Sequence, residues 1–274
     1  MTGRQGRALA VNGVLALAAL LTVAPLLWML AASFMRSGEA SSFPPPLWPA
    51  EPTLGQYRAL VAQGGIGRQF LNSLGLATAA TLLSTTLNTL AGYAFAKLRF
   101  AGRDRLFAAL IGALVIPGQV AMLPLFLMLK GMGLVNSYAG VLVPSLAGIF
   151  GIFLVRQYAR GIPDELIEAA RMDGAGEFRI FFSVVLPLLT PVLATLAVFA
   201  FLGSWNDFMW PLIVLTDGEL HTLPVALASL SREHVQDSEL MMAGAVITVL
   251  PVLALFLVLQ RYYLQGLTMG GVKQ

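Results

Sequence analysis

Six stretches of this chain run for twenty residues or more without a single Asp, Glu, Lys or Arg: 8–35, 69–96, 106–129, 131–155, 180–206 and 240–260. A helix crosses a hydrocarbon core in roughly 20 residues, and backbone groups in lipid must find their partners within the protein. Barrel strands are ~10 residues of strict alternation, which these continuous runs are not. Only 11% of residues are charged against 57% hydrophobic, where an ordinary soluble domain carries about a quarter charged. The expected fold is therefore all-α and integral to a membrane. Six transmembrane helices are placed at about 8–35, 70–96, 106–129, 137–157, 181–205 and 240–261, in one domain over 1–274.

The first span follows Arg4 and Arg7. It is longer than the ~7–15 residues of a secretory signal core, so it is read as an uncleaved membrane helix. Cysteine is absent, which removes disulfides, thiolate nucleophiles and Cys-ligated metals. The net charge of +3 is too small and dispersed to argue for nucleic acid.

Basic residues set the orientation. If six helices alternate, one side collects Arg4, Arg7, Lys97, Arg99, Arg103, Arg105, Arg156, Arg160, Arg171, Arg179, Arg261 and Lys273, and the other only Arg36, Arg58, Arg68, Lys130 and Arg232. The richer side is cytoplasmic, so both termini and the loop 163–179 are expected to face the cytoplasm.

That loop is the most informative part of the chain. Pro163 suits a first helical turn, Asp164 and Glu165 put negative charge at the amino end, and Gly174 is a natural stop. The pattern predicts a helix of about three turns. Leu166, Ile167, Ala170 and Ala169 fall toward one side, with Glu165, Glu168, Arg171 and Asp173 on others. So short a helix is marginal alone. Its support is either the lipid interface or the surface of a partner protein.

Glu168-Ala169-Ala170, then Gly174, then Val184-Val185-Leu186-Pro187 resembles the EAA loop of ABC importer permeases, with Val184 where that family usually has Ile. The resemblance implies a coupling helix seated on a separate ATP-hydrolysing subunit. Glu168, Ala169, Ala170, Asp173 and Gly174 would form the contact, and Pro187 the bend into the fifth span. Further stretches, 91–103, Pro124-Leu125-Phe126, 133–137, 205–211 and 265–273, are similar to the carbohydrate, maltose-permease-like branch. That likeness implies a type I importer with a second, usually different, permease subunit. It also implies two ATPase subunits or domains holding ATP and Mg, an extracytoplasmic sugar-binding protein, and a bacterial or archaeal plasma membrane as the location. No Walker motif is present, so this chain itself is expected to bind no cofactor and catalyse nothing. The rival readings are a permease for a non-sugar solute and a stand-alone secondary transporter or channel. A membrane-embedded enzyme is weaker, since the spans hold no nucleophile or metal-ligand cluster.

Polar residues inside spans mark a pathway or helix packing. Asn72, Ser73, Thr81, Asn88, Trp205 and Asn206 are the pathway candidates, with interfacial anchoring the stronger reading for Trp205. Pro117, Pro124, Pro187 and Pro191 are expected to break helical ladders. By position in the branch, Ser231, Arg232, Glu233 and His234 would touch the binding protein, in a segment 207–239 read as a solvated loop without metal at His221 or His234. The tail, through Gly266, Gly270 and Gly271, would run extended along the ATPase.

Overall fold

A computed structural model describes residues 3–233 and 237–270, and these contain helices and turns but no strand. The chain divides into two compact units, one of residues 1–67 with 226–251 and one of 68–225 with 252–274.

In the first unit, α1 (Gly3–Ala32) presents a 24-residue apolar stretch, Leu9–Ala32, only 6% of whose window is buried. A helix apolar on every side and so little covered belongs in lipid. Its end is anchored by a small cluster of Ala32, Met35 and Ala40, packed by Trp28 and Met242. A short helix, α2 (Gly55–Gly64), follows outside the long apolar runs.

The second unit opens with α3 (Ile66–Lys97), whose span of 32 residues is continuous from its first turn in the other unit. The stretch 106–129, expected as one span, is instead two helices, α4 (Arg103–Ala113) and α5 (Gly118–Gly131), meeting at 104°. Pro117 stands at the break with φ −60° and ψ 130°. Its ring disfavours helix at Ile116, so the first helix must end before it. The next span is also bent, by 41°, between α6 (Tyr138–Leu142) with its 3-10 extension to Ser145 and α7 (Ile149–Arg160).

After α8 (Asp164–Met172), the chain re-enters an apolar helix of 29 residues, Glu177–Trp205. It comprises α9 (Glu177–Ile180), a π-helical turn (Phe181–Val185) and α10 (Leu186–Trp205). Pro187 was expected to bend the entry. The helix widens instead, with the Leu186 amide reaching Phe181 O five residues back. A proline ring clashes with the carbonyl four residues before it, and one wide turn relieves that clash without ending the helix.

The segment 207–239, read above as a loop, carries α11 (Met209–Val214) and α12 (Leu223–Glu233). The last helix, α13 (Ser238–Gly270), continues through Gly266 and Gly270, so residues 265–270 are helical rather than extended. Gly271 lies outside the described residues.

One core cluster of the second unit joins α3, α7, α8, the π turn and α10, with Tyr93, Val155, Ile167, Ile180, Phe181, Val185 and Leu189 among its members, and another gathers Leu76, Leu129, Val141, Trp210, Val214 and Leu215. Gly92 lets α3 and α7 touch. A Cβ there would lie 2.7 Å from Val155 Cβ.

Candidate functional site

The helix α8 owes its short, defined length to its ends. Pro163 precedes it and Asp164 and Glu165 occupy its first turn, where the helix dipole favours acids. At its far end Gly174 takes φ +79°. The Gly174 amide donates to Arg171 O at 2.9 Å and the Ala175 amide to Ala170 O at 3.0 Å. This is a Schellman closure, and Ala170 and Ala175 both pack on the core. The interval from Ala170 to Gly174 is thus a geometric requirement of the cap.

One side of α8 holds the helix to its own protein. Ile167 is 3% exposed and Ala170 half-buried, both against the core. Leu166 was expected on that side too, but lies on the flank and is exposed, as is Ala169. Glu168, Asp173 and Gly174 are also exposed, and Met172 and Phe178 stand 88% and 81% free. A surface of acids, small residues and bare apolar side chains therefore surrounds the loop.

Two ion pairs brace it. Lys97, at the last residue of α3, donates to Asp164 Oδ1 at 2.6 Å and to the Ile162 carbonyl. Its side chain is 6% exposed. The Lys97 hydrogen bond and charge hold the Asp164 carboxyl below the usual carboxylate range. Arg171 bonds Glu177 at 2.8 Å across the Gly174 turn, which raises the guanidinium pKa. Sequence reading counted Lys97 only among the cytoplasmic cations, although a lysine preceded by Ala94, Phe95 and Ala96 is one that burial can reach.

At the other end of the same helices is a cavity of about 500 Å³. Its polar lining is Ser84 of α3, Gln119 of α5, Ser145, Ser204 of α10, Asp207 and Trp210. The Trp210 indole donates to Gly140 O at 3.2 Å, and its amide lies 3.3 Å from Asp207 Oδ1. Burial pushes the Asp207 carboxyl pKa up, opposed by the Trp210 and Met209 amides. Among the described residues no group of three metal-ligating side chains occurs.

Residues 88–268 match the family described as binding-protein-dependent transport system inner membrane component. The chain belongs to this family. The permease is 38% identical over 262 residues to the arabinooligosaccharides transport system permease protein AraQ of Halalkalibacterium halodurans, covering 93% of this chain and 92% of that one. It is 31% identical to the lactose transport system permease protein LacG of Rhizobium radiobacter, over 95% and 94% of the two chains. Its fold superposes on a chain of a bacterial ABC transporter involved in the import of the acidic polysaccharide alginate, with TM-score 0.84 and 24% identity over 96% and 99% of the chains. The all-helical importer-permease fold expected from sequence is the fold observed.

None of the six pathway candidates lines the 500 Å³ cavity, although Asn72 borders a smaller one of about 260 Å³. Asn72 donates to Glu219 O and His221 O at 2.8 and 3.0 Å, and Ser73 Oγ accepts from the Leu223 amide at 2.7 Å, so both fasten the segment before α12. Thr81 and Asn206 bond carbonyls of their own helices, Ala77 O and Leu202 O. Asn88 is buried and accepts from the Gly148 amide at 2.9 Å, tying α3 to the residue that precedes α7. Trp205 is fully buried, stacked on Phe201 with centroids 5.8 Å apart and edge-on to Phe70, so it is a core residue and not an interfacial anchor. Ser231, Arg232 and Glu233 end α12 with side chains outside the described residues, and His234 lies outside them entirely.

Proposed function

We infer that this permease is one of the two membrane subunits of a type I ATP-driven sugar importer. The observation that carries the reading is α8: a nine-residue helix locked onto its own protein by Ile167 and the Schellman turn, with Glu168, Ala169, Asp173 and Gly174 turned outward. In this reading the loop 163–179 and both termini are cytoplasmic, and each of two ATPase subunits, holding ATP and Mg, receives one such helix. A second permease chain completes the pathway, and an extracytoplasmic binding protein delivers the cargo. The whole sits in a prokaryotic plasma membrane. Closure of the ATPases on ATP draws the two coupling helices together and opens the pathway outward. Hydrolysis resets it.

The sugar assignment rests on motif resemblance and on relatives named for arabinooligosaccharide and lactose transport. Their cargoes differ while their permeases align with this one end to end, which supports a pathway of general saccharide character fed by a selective binding protein.

Two measurements test the proposal. Deleting 164–176 should abolish co-purification with the ATPase, and retained association would defeat the coupling role. The assembled importer in proteoliposomes should take up at least one of arabinotriose, lactose and an alginate oligosaccharide, dependent on ATP and binding protein. Uptake of none of them, with ATPase association intact, would leave a permease for a non-sugar solute.

A further inference from the structure

Lys97 is the feature that the coupling reading leaves unused. A lysine side chain so withdrawn from water is tolerated only where its charge and donors are matched. Both of its partners, Ile162 O and Asp164 Oδ1, belong to the entry into α8. The end of α3 is therefore fastened to the start of the coupling helix.

The other end of α8 is tied by covalent structure. Beyond Gly174 the chain enters the 29-residue helix Glu177–Trp205 without a long loop to absorb movement. The two attachments lead to the same place. α3 brings Ala80 and Ser84 to the cavity, and α10 brings Phe199, Gly203 and Ser204. Ser84 lies about 20 Å up α3 from Lys97 at 1.5 Å per residue. α3 has no covalent link to α8, so Lys97 supplies the direct polar one.

The geometry points to Lys97 as a second coupling arm: its bond to Asp164 delivers displacement of α8 to α3, in parallel with the covalent route into α10. Lys97 is a positioning residue in this scheme, and the inference rests on the importer reading above. The competing routes into α3 are apolar or through α7: Tyr93 packs with Ile167 and on Phe181, its ring centroid 5.1 Å away, and α7 meets α3 through Gly92 on Val155 and Asn88 on the Gly148 amide.

The test is cargo uptake per ATP hydrolysed, measured on one preparation of the complete importer in proteoliposomes with the saccharide returned by the uptake screen. The variants are Asp164→Asn, Lys97→Met and Lys97→Arg. Asp164 is largely exposed and its isosteric amide keeps an oxygen to accept from Lys97, so Asp164→Asn is the milder change and decides the matter if Lys97→Met fails to assemble. The arm predicts hydrolysis within about twofold of wild type and a ratio lowered about fivefold or more, the scale of ordinary coupling energies. Lys97→Arg, which keeps charge and donors, should preserve the ratio. An unchanged ratio in Asp164→Asn and Lys97→Met assigns the transmission to the packing routes and overturns the proposal, as does a fall of uptake and hydrolysis in step. Wild-type protein without ATP-driven uptake overturns the importer reading itself, and the arm with it.

Discussion

The Ala175 amide meets the Ala170 carbonyl at 3.0 Å, and this one bond makes α8 end where it does. It requires the residue between them, Gly174, to adopt φ +79°. An L side chain in that conformation costs roughly 1–2 kcal/mol, although nothing within 4 Å would obstruct a Cβ. Gly174→Ala should weaken co-purification with the ATPase and lower uptake, while Gly174→Asn, better tolerated in the left-handed region, should recover part of both. Equal losses in the two variants would point to a side-chain clash with the partner instead of backbone strain.

At Gly92 the constraint is space. Gly92→Ala puts a methyl group 2.7 Å from Val155 Cβ and Cγ1, an overpacking that typically costs about 1–3 kcal/mol. Thermal unfolding in detergent should show the loss, and adding Val155→Gly, which removes both colliding atoms, should restore a share of it. Additive losses in the double variant would exclude a direct collision.

Asn88 and Gln119 separate packing from pathway. Asn88→Ala strips the half-buried Gly148 amide of its acceptor, at a cost of about 1 kcal/mol, and should lower thermal stability without altering cargo preference. Gln119 lines the cavity, so Gln119→Ala should change the half-saturating concentration of loaded binding protein or the uptake rate with little effect on unfolding. The reverse pattern would move the pathway elsewhere.

The Asp164 pair gives a pH dependence with a definite sign. Lys97 lowers the Asp164 pKa in the folded state. The pair's contribution to stability is therefore fully present above the ordinary carboxylate value of about 3.9 and is lost as pH falls through the lower folded value. The difference in unfolding temperature between wild type and Asp164→Asn should be constant from about pH 8 to about pH 5 and close only in stronger acid. Because Asp164 is exposed, the difference will be small.

Much of this was legible in the residues. Charge-free runs located the long helices, since lipid excludes charge from a span wherever helices lie in it. Gly174 announced the end of α8 because few other residues take positive φ. The break at 106–129 was half visible: Pro117 was flagged as a ladder-breaker, but a proline can kink a helix or end one, and only the packing of α4 and α5 decides between 104° and a slight bend. The pathway residues were not legible. Thr81 and Ser84 have the same chemistry three residues apart on one helix, and whether a hydroxyl meets its own backbone or a cavity depends on the rotation of that helix against its neighbours. Lys97 was hidden for the same reason. Its burial comes from α8 folding back over it, a contact 67 residues away in the chain.

The π turn at Phe181–Val185 has a consequence for phase. One residue more than an α-helical turn requires is absorbed there without advancing the helix, so every side chain beyond it is set about 100° from where an unbroken α-helix would aim it. Phe199, Gly203 and Ser204 look into the cavity by virtue of that offset. The permease's inner wall is in this sense dialled from its far end: the same residues wound as an unbroken α-helix would swing it away, whereas the loss of a single residue between 181 and 185 would close the wide turn to an α-turn and leave the wall facing the cavity.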